Sequence, residues 1–315
     1  VRRTGYLLCG IGASTWATNG IVSSLLFSSH TITATELAAA RMYGGALLLG
    51  VGAFAAVRRL PRRALGRLAL FGIFGMSAPQ WLFYLAIARI NVPIALVIVY
   101  TAPALVTAWE RVRNGVRLPA PAVIAIVVAI VGVAIAVLGA SGGVGSYDTL
   151  GLVFAVGAMV SYCMQIVLAA TQPAELTPFQ KIGGALLFAV LAWLVVMPFW
   201  SLPLDAIMHG VRLGTRTTAT LPMGALAGYV ILFGTVIAYA LLVAGATRIG
   251  AGAAAVTGMI EPVIASVLAW AVLGQSLAPL QVVGIAVALG GVTAAEVLRG
   301  RGRPAAADAE TLFAA

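Results

Sequence analysis

Ala251–Leu273, AGAAAVTGMIEPVIASVLAWAVL, is an apolar run broken near its middle by one acid, Glu261, followed at once by Pro262. About 20 apolar residues suffice for a helix to cross the ~30 Å hydrocarbon core of a bilayer, so this stretch reads as a membrane span. An ionised carboxylate at mid-bilayer depth costs on the order of 3 kcal/mol on insertion scales. Glu261 is therefore expected to face protein, a cavity or a proton rather than lipid, and it is the first functional candidate.

The rest of the chain has the same character. Of its 315 residues, 62% are hydrophobic and only 9% charged, and the mean hydropathy is +1.06. A soluble domain needs about a quarter of its residues charged, so this composition indicates an integral membrane protein. Apolar runs between Arg-, Pro- and Gly-rich breaks give ten spans, near residues 6–27, 34–57, 66–88, 93–109, 121–140, 150–170, 182–200, 222–244, 251–273 and 278–298. Unpaired backbone polar groups are not tolerated in lipid, and no ten-residue alternating segments suggest a barrel, so each run is expected to be helical. The first run is read as a span rather than a signal peptide.

The net charge of +10 raises the question of a nucleic-acid partner, which the placement of the basic residues answers in the negative. With the N-terminus inside, Arg2, Arg3, Arg58, Arg59, Arg62, Arg63, Arg67, Arg111, Arg113, Arg117, Lys181, Arg248, Arg299, Arg301 and Arg303 collect on one side. Arg89, Arg212 and Arg216 fall on the other, and Arg41 lies within a span. By the positive-inside rule both termini are expected in the cytoplasm. Heavy use of Ala, Gly and Arg with a single lysine suggests a GC-rich bacterial genome, and hence the plasma (inner) membrane as location.

An internal repeat is visible in the numbering. At a shift of 146, Gly5 falls on Gly151, Trp16 on Tyr162 and Asn19 on Gln165; at 139, Gly44-Gly45 falls on Gly183-Gly184. At 159, Arg89-Ile90 falls on Arg248-Ile249, Pro103 on Pro262, Gly115 on Gly274 and Gly132 on Gly291. The expected organisation is a five-helix repeat over 1–140, a linker over 141–149, a second repeat over 150–298 and a disordered tail over 299–315. Because five is odd, the second repeat enters the membrane from the opposite side. The fold class expected is an all-α integral membrane protein of ten transmembrane helices in two inverted repeats, the architecture of secondary transporters.

The chain also resembles the EamA-domain branch of the drug/metabolite transporter superfamily. The resemblance rests on the five-plus-five spans, Arg41 in the second span, Gly12-Ala13-Ser14-Thr15-Trp16-Ala17 in the first, and a proline in spans four and nine, preceded by Glu in the latter. It implies an exporter of small polar metabolites, commonly amino acids, with a cavity built by spans one to four and six to nine and buttressed by spans five and ten. Where the family often places Glu after Gly past spans four and nine, this chain has Gly115-Val116 and Gly274-Gln275.

Each candidate side chain has a functional and a structural reading. Glu261 is a proton-coupling or substrate-amine group, or a permanently neutral structural acid; its first-half equivalent is the apolar Ala102, so the repeat itself does not require an acid there. Pro103 and Pro262 each remove an intrahelical hydrogen bond and are expected to shape helices around the cavity. Arg41 clamps a substrate carboxylate, or holds a loop or Glu36 near the interface by snorkelling. Trp16 with Asn19, and Tyr162 with Gln165, are three residues apart and share a helix face. They line a cavity or tie helices together. Gln80, Trp81, Tyr84, Tyr100, Thr101 and Tyr239 are expected to add a polar and aromatic wall.

No metal or cofactor is expected, since Cys9, Cys163, His30 and His209 lack co-ligands. The chain contains no Gly-x-Ser-x-Gly elbow, His-Glu-x-x-His pair or Walker loop, so an enzyme is not expected. The partners expected are a small-molecule substrate and the lipid bilayer. A lipid or polyprenyl-carrier flippase and a non-transporting scaffold are the rival readings, and a homodimer remains open.

Overall fold

The computed structural model describes residues 2–102, 104–106, 120–138, 148–170, 172–173, 175–249 and 251–301. Within them the chain is almost wholly helical. The elements are α1 (Arg2–Ser28), α2 (Ala34–Val57), α3 (Arg62–Ile87), α4 (Val92–Val99), α5 (Ala120–Leu138), α6 (Thr149–Ala170), α7 (Pro178–Val196), α8 (Met223–Ile249), α9 and α10 (Pro279–Arg301). Helix α9 is Ala251–Gly258 continued, after a turn at Met259, by Ile260–Leu268 and Ala269–Leu273. Seven helices among the described residues are long and apolar enough to cross a membrane, and two shorter apolar ones, Val92–Val106 and Pro279–Ala295, accompany them. The outer faces are apolar, with Leu47, Val51, Ile124, Val153, Val195 and Val267 each more than half exposed, as expected of a surface that meets lipid rather than water.

Local sequence explains where helices begin and stop. Thr33 and Glu36 form a capping box at the start of α2, and Thr177 and Gln180 form one at the start of α7. Each box satisfies two N–H groups that a helix start leaves open. The second box corrects the expected span 182–200, because the helix begins at Pro178 and ends at Val196, two residues before Pro198. Phe199–Ser201 and Leu204–Met208 are short 3-10 turns, and β1 (Gly210–Arg212) pairs antiparallel with β2 (Thr220–Pro222) in the connection to α8. The expected linker and tail lie largely outside the described residues, as does Pro103.

The two halves pack reciprocally. A Cβ on Gly132 would meet the backbone of Ala288 at 2.3 Å, and one on Gly291 would meet the backbone of Ala129 at 2.5 Å. Shifting the first pair by 159 and exchanging partners gives the second. Helices α5 and α10 are thus held together by contacts that only glycine permits. In the same way Gly5 lies against Arg248 and Ile249, while Gly151 lies against Arg89 and Ile90. Helix α1 therefore pairs with α8 as α6 pairs with α3.

Irregularities in the helices also recur. Helix α3 contains a π-helical segment at Phe71–Ser77 and α8 one at Leu232–Ile237. Helix α4 breaks in a turn at Tyr100 and Thr101, and α9 breaks at Met259, 159 residues after Tyr100. Pro262 has no N–H to return to the preceding turn, which accounts for the break in α9. The first half and the second half thus carry matching interruptions on the helices that line the centre of the bundle.

Candidate functional site

A cavity of about 370 Å³ lies at the centre of the bundle, walled by α1, α2, α3, α4, α6, α7, α8 and α9. It reaches from Trp16, Asn19, Tyr100 and Glu261 to Gln172, Pro178 and Lys181, at the end of α6 and the start of α7. It therefore opens toward the end of the bundle that carries Arg58, Arg59, Arg62, Arg63 and Arg67. Its walls are largely apolar and aromatic, with Phe71, Phe83, Leu96 and Ile166 among them.

Glu261 sits two residues past the break in α9 and is buried, at 7% exposure. Its Oε2 accepts a hydrogen bond from the Tyr100 hydroxyl at 2.5 Å. Tyr100 follows the helical part of α4, so the group holding the acid comes from the first half at the site of the matching break. Tyr162 and Tyr239 line the same cavity. Tyr239 meets Trp16 edge to face, ring centroids 5.2 Å apart, and its hydroxyl accepts from Gln165 Nε2 at 3.5 Å.

Arg41 is more deeply buried still, at 2% exposure. Its Nε donates to Thr235 Oγ1 at 2.9 Å, one Nη donates to Gln80 Oε1 at 2.5 Å and Tyr84 OH at 3.0 Å, and the other donates to the Gly234 carbonyl at 2.6 Å. That carbonyl also accepts from Trp16 Nε1 at 3.0 Å. Gly234 and Thr235 lie in the π-helical segment of α8, a helix irregularity that is frequent at functional sites. Gln80 and Tyr84 belong to α3, so Arg41 ties the two halves together. This corrects the reading of Arg41 as a snorkelling side chain paired with Glu36, whose carboxylate instead caps α2 through the Thr33 N–H at 2.7 Å.

The structure places nine of the expected site residues on the cavity wall: Glu261, Trp16, Asn19, Arg41, Gln80, Tyr100, Tyr162, Gln165 and Tyr239. Three others do not line it. Trp81 turns away to donate to Thr35 Oγ1 at 3.0 Å and packs edge-on against Trp193. Tyr84 is fully buried between Arg41 and Phe27. Thr101 is spent on the Ile98 carbonyl and the Met159 sulfur. Gln172 and Lys181 were not foreseen, although their polarity at the edges of apolar runs was a signal available in the sequence. Gln275, which follows Gly274, accepts the Val92 N–H at 3.2 Å and so caps α4 across the two halves.

Among the described residues no cluster of His, Cys, Asp or Glu could hold a metal ion. The model of the EamA-like transporter family matches residues 3–138 and again residues 149–295. One solved structure, described only as the crystal structure of a protein, shares the fold with a TM-score of 0.60 over 96% of this chain and 100% of its own, at 18% identity. No curated protein matches the chain in sequence.

Proposed function

We propose, from the premise that this chain belongs to the EamA-like transporter family, that it is a secondary transporter that exports small polar metabolites such as amino acids by alternating access. The observation that carries this reading is a buried carboxylate, Glu261, set at a helix break in a cavity between two repeats. Reciprocal packing of the halves supports an inverted five-plus-five arrangement of ten spans, because an odd number of helices per repeat reverses the second. In such transporters the substrate site lies at the repeat interface, and rocking one repeat against the other alternates access.

The arginine-rich end is the cytoplasmic one by the positive-inside rule, with both termini there and a bacterial plasma membrane around the bundle. The cavity is then open to the cytoplasm, the state in which an exporter loads. Arg41, joining α2 and α3 to α8, holds the opposite side shut. No covalent step is assigned; gradients supply the energy, and Glu261 couples transport to protons by exchanging one as the cavity changes sides.

The test is counterflow in liposomes over a mixed panel of amino acids and nucleobases, wild type beside Glu261→Gln. Saturable exchange that the substitution abolishes, or uncouples from an imposed pH gradient, supports the reading. An unchanged rate in Glu261→Gln and under a collapsed gradient reduces it to facilitated diffusion. Absence of exchange for every solute, in folded protein, favours the flippase or scaffold.

A further inference from the structure

The basic residues at the two ends of the bundle are not equivalent. Of those at the arginine-poor end, Arg89 pairs with Asp148 at 2.7 Å and lies over the Phe154 ring, Arg212 donates to the Thr217 carbonyl at 3.1 Å, and Arg216 lies 5.0 Å from the centre of the Trp270 ring. At the other end Arg58, Arg59, Arg62, Arg63 and Arg67 are all exposed, and none of their side chains bonds or pairs with a described residue. Glu175, beside Leu176 in the neighbouring loop, is exposed and forms no salt bridge with them. A count of charges accounts for which end is richer. It does not account for five guanidinium groups on one turn, each without a partner among the described residues.

The turn is a folded platform. Leu60 and Leu65 pack against a cluster of Ala53, Val57, Leu68 and Leu176. The N–H groups of Arg58, Leu60 and Leu65 close on the carbonyls of Phe54, Val57 and Pro61 at 3.0, 3.0 and 3.1 Å. Its arginines also continue lipid-facing stripes. Val51, Phe54 and Arg58 on α2, and Arg63, Arg67 and Leu70 on α3, are spaced by three or four residues, so each set shares a helix face. Val51, Phe54 and Leu70 are 67%, 58% and 48% exposed. Arg58, Arg63 and Arg67 therefore stand just beyond side chains that meet hydrocarbon, at the depth of headgroup phosphates. A planar guanidinium fork matches the geometry of phosphate, and clusters of roughly four to eight basic residues at the end of a span attract anionic lipids. The Arg67 carbonyl accepts from Gln172 Nε2 at 3.4 Å, and Gln172 lines the cavity, so the platform adjoins the cavity mouth.

We propose that the turn joining α2 to α3 is a docking site for an anionic phospholipid. Arg58, Arg63 and Arg67 hold the headgroup phosphate, the acyl chains lie along Val51, Phe54 and Leu70, and Arg59 and Arg62 add charge around the site. Free phosphate would engage the guanidinium groups alone, whereas a lipid uses both the charges and the apolar stripes that lead to them. The site lies outside the cavity and does not depend on what the cavity carries.

The test is native mass spectrometry of the full chain in detergent, which resolves each bound lipid, with phosphatidylglycerol and phosphatidylcholine of the same acyl chains as probes. Wild type is expected to bind the first phosphatidylglycerol about tenfold or more tighter than the first phosphatidylcholine, since one basic residue near a membrane surface is worth about fivefold. Arg58→Gln, Arg63→Gln and Arg67→Gln together should bring the two lipids within about threefold, while Arg58→Lys, Arg63→Lys and Arg67→Lys together keep most of the preference. Arg67→Gln alone should lose about three- to fivefold, and gives the reading if the triple variant does not fold. Arg212→Gln with Arg216→Gln, at the other end, should leave the preference within about twofold of wild type. An excess of inorganic phosphate should not displace the lipid. Equal binding of the two lipids by wild type, a preference unchanged in the folded glutamine variants, the same loss in the Arg212 and Arg216 variant, or displacement by inorganic phosphate would each overturn the proposal. None of these readings uses solute exchange, so failure here leaves the transporter reading standing, and failure of counterflow leaves the docking site standing.

Discussion

Arg41, on α2, and Glu261, on α9, are buried ionisable groups that line the central cavity, and the protein treats them differently. Arg41 is surrounded by fixed partners from α3 and α8 and has a structural fork of hydrogen bonds. Glu261 has one phenol and an open oxygen. No ion pair joins them among the described residues, where the only salt bridge is Arg89 with Asp148. A charge most of whose hydrogen bonds are met by protein has less left with which to bind a solute than one left largely unmet. On the proposed reading, Arg41 holds the fold closed and Glu261 reads what enters.

Substitutions at the two sites should therefore differ in kind. Arg41→Ala has the largest expected effect: it leaves Gln80 Oε1 and Thr235 Oγ1 without their donor, and the Gly234 carbonyl with Trp16 alone, and should lower stability by about 3 kcal/mol or more, seen as a fall in thermal unfolding temperature in detergent. Arg41→Lys restores the charge but not the planar fork, and should recover only part of that loss. Glu261→Gln keeps the shape and should change stability by less than about 1 kcal/mol, since a neutral amide is easier to bury than a carboxylate. Its exchange activity should fall about tenfold or more, measured as counterflow. Tyr100→Phe removes one hydrogen bond to Glu261 and should raise KM by about three- to tenfold with little loss of stability.

The smallest effect is expected at Asp148, outside the spans, where the Arg89 guanidinium holds its carboxyl below the usual carboxylate range. A carboxyl so lowered contributes stability above its unfolded pKa, and that contribution disappears as pH falls through the folded value. Both side chains are substantially exposed, so salt screens the pair. Asp148→Asn should leave neutral-pH counterflow unchanged and blunt only the acid limb of an unfolding titration.

The contrast also shows what the sequence made legible. Hydropathy located the apolar runs, α2 and α9 with the expected bounds, because burying about 20 apolar residues in a bilayer is a property of composition. It did not give the rotation of each helix. Trp81 lies one residue from Gln80 on α3, yet only Gln80 faces the cavity. In a helix apolar on every side, no polar face marks which way it turns. The role of Arg41 was hidden for another reason: its acceptors at Gly234 and Thr235 sit in a π-helical segment, and nothing in the composition of Leu232–Ile237 announces the wider turn. Glu261 was legible because a single acid between Ile260 and Pro262 contradicts its surroundings.

The division of labour between the two charges can be tested most directly in one paired measurement: thermal unfolding and liposome counterflow on the same preparations of wild type, Arg41→Lys and Glu261→Gln. The account predicts that Glu261→Gln unfolds close to wild type and loses exchange, while Arg41→Lys unfolds at lower temperature and, at temperatures where it is folded, retains the wild-type order of solute preference. Destabilised Glu261→Gln with exchange intact, or stable Arg41→Lys with an altered preference for carboxylate-bearing solutes, would contradict it.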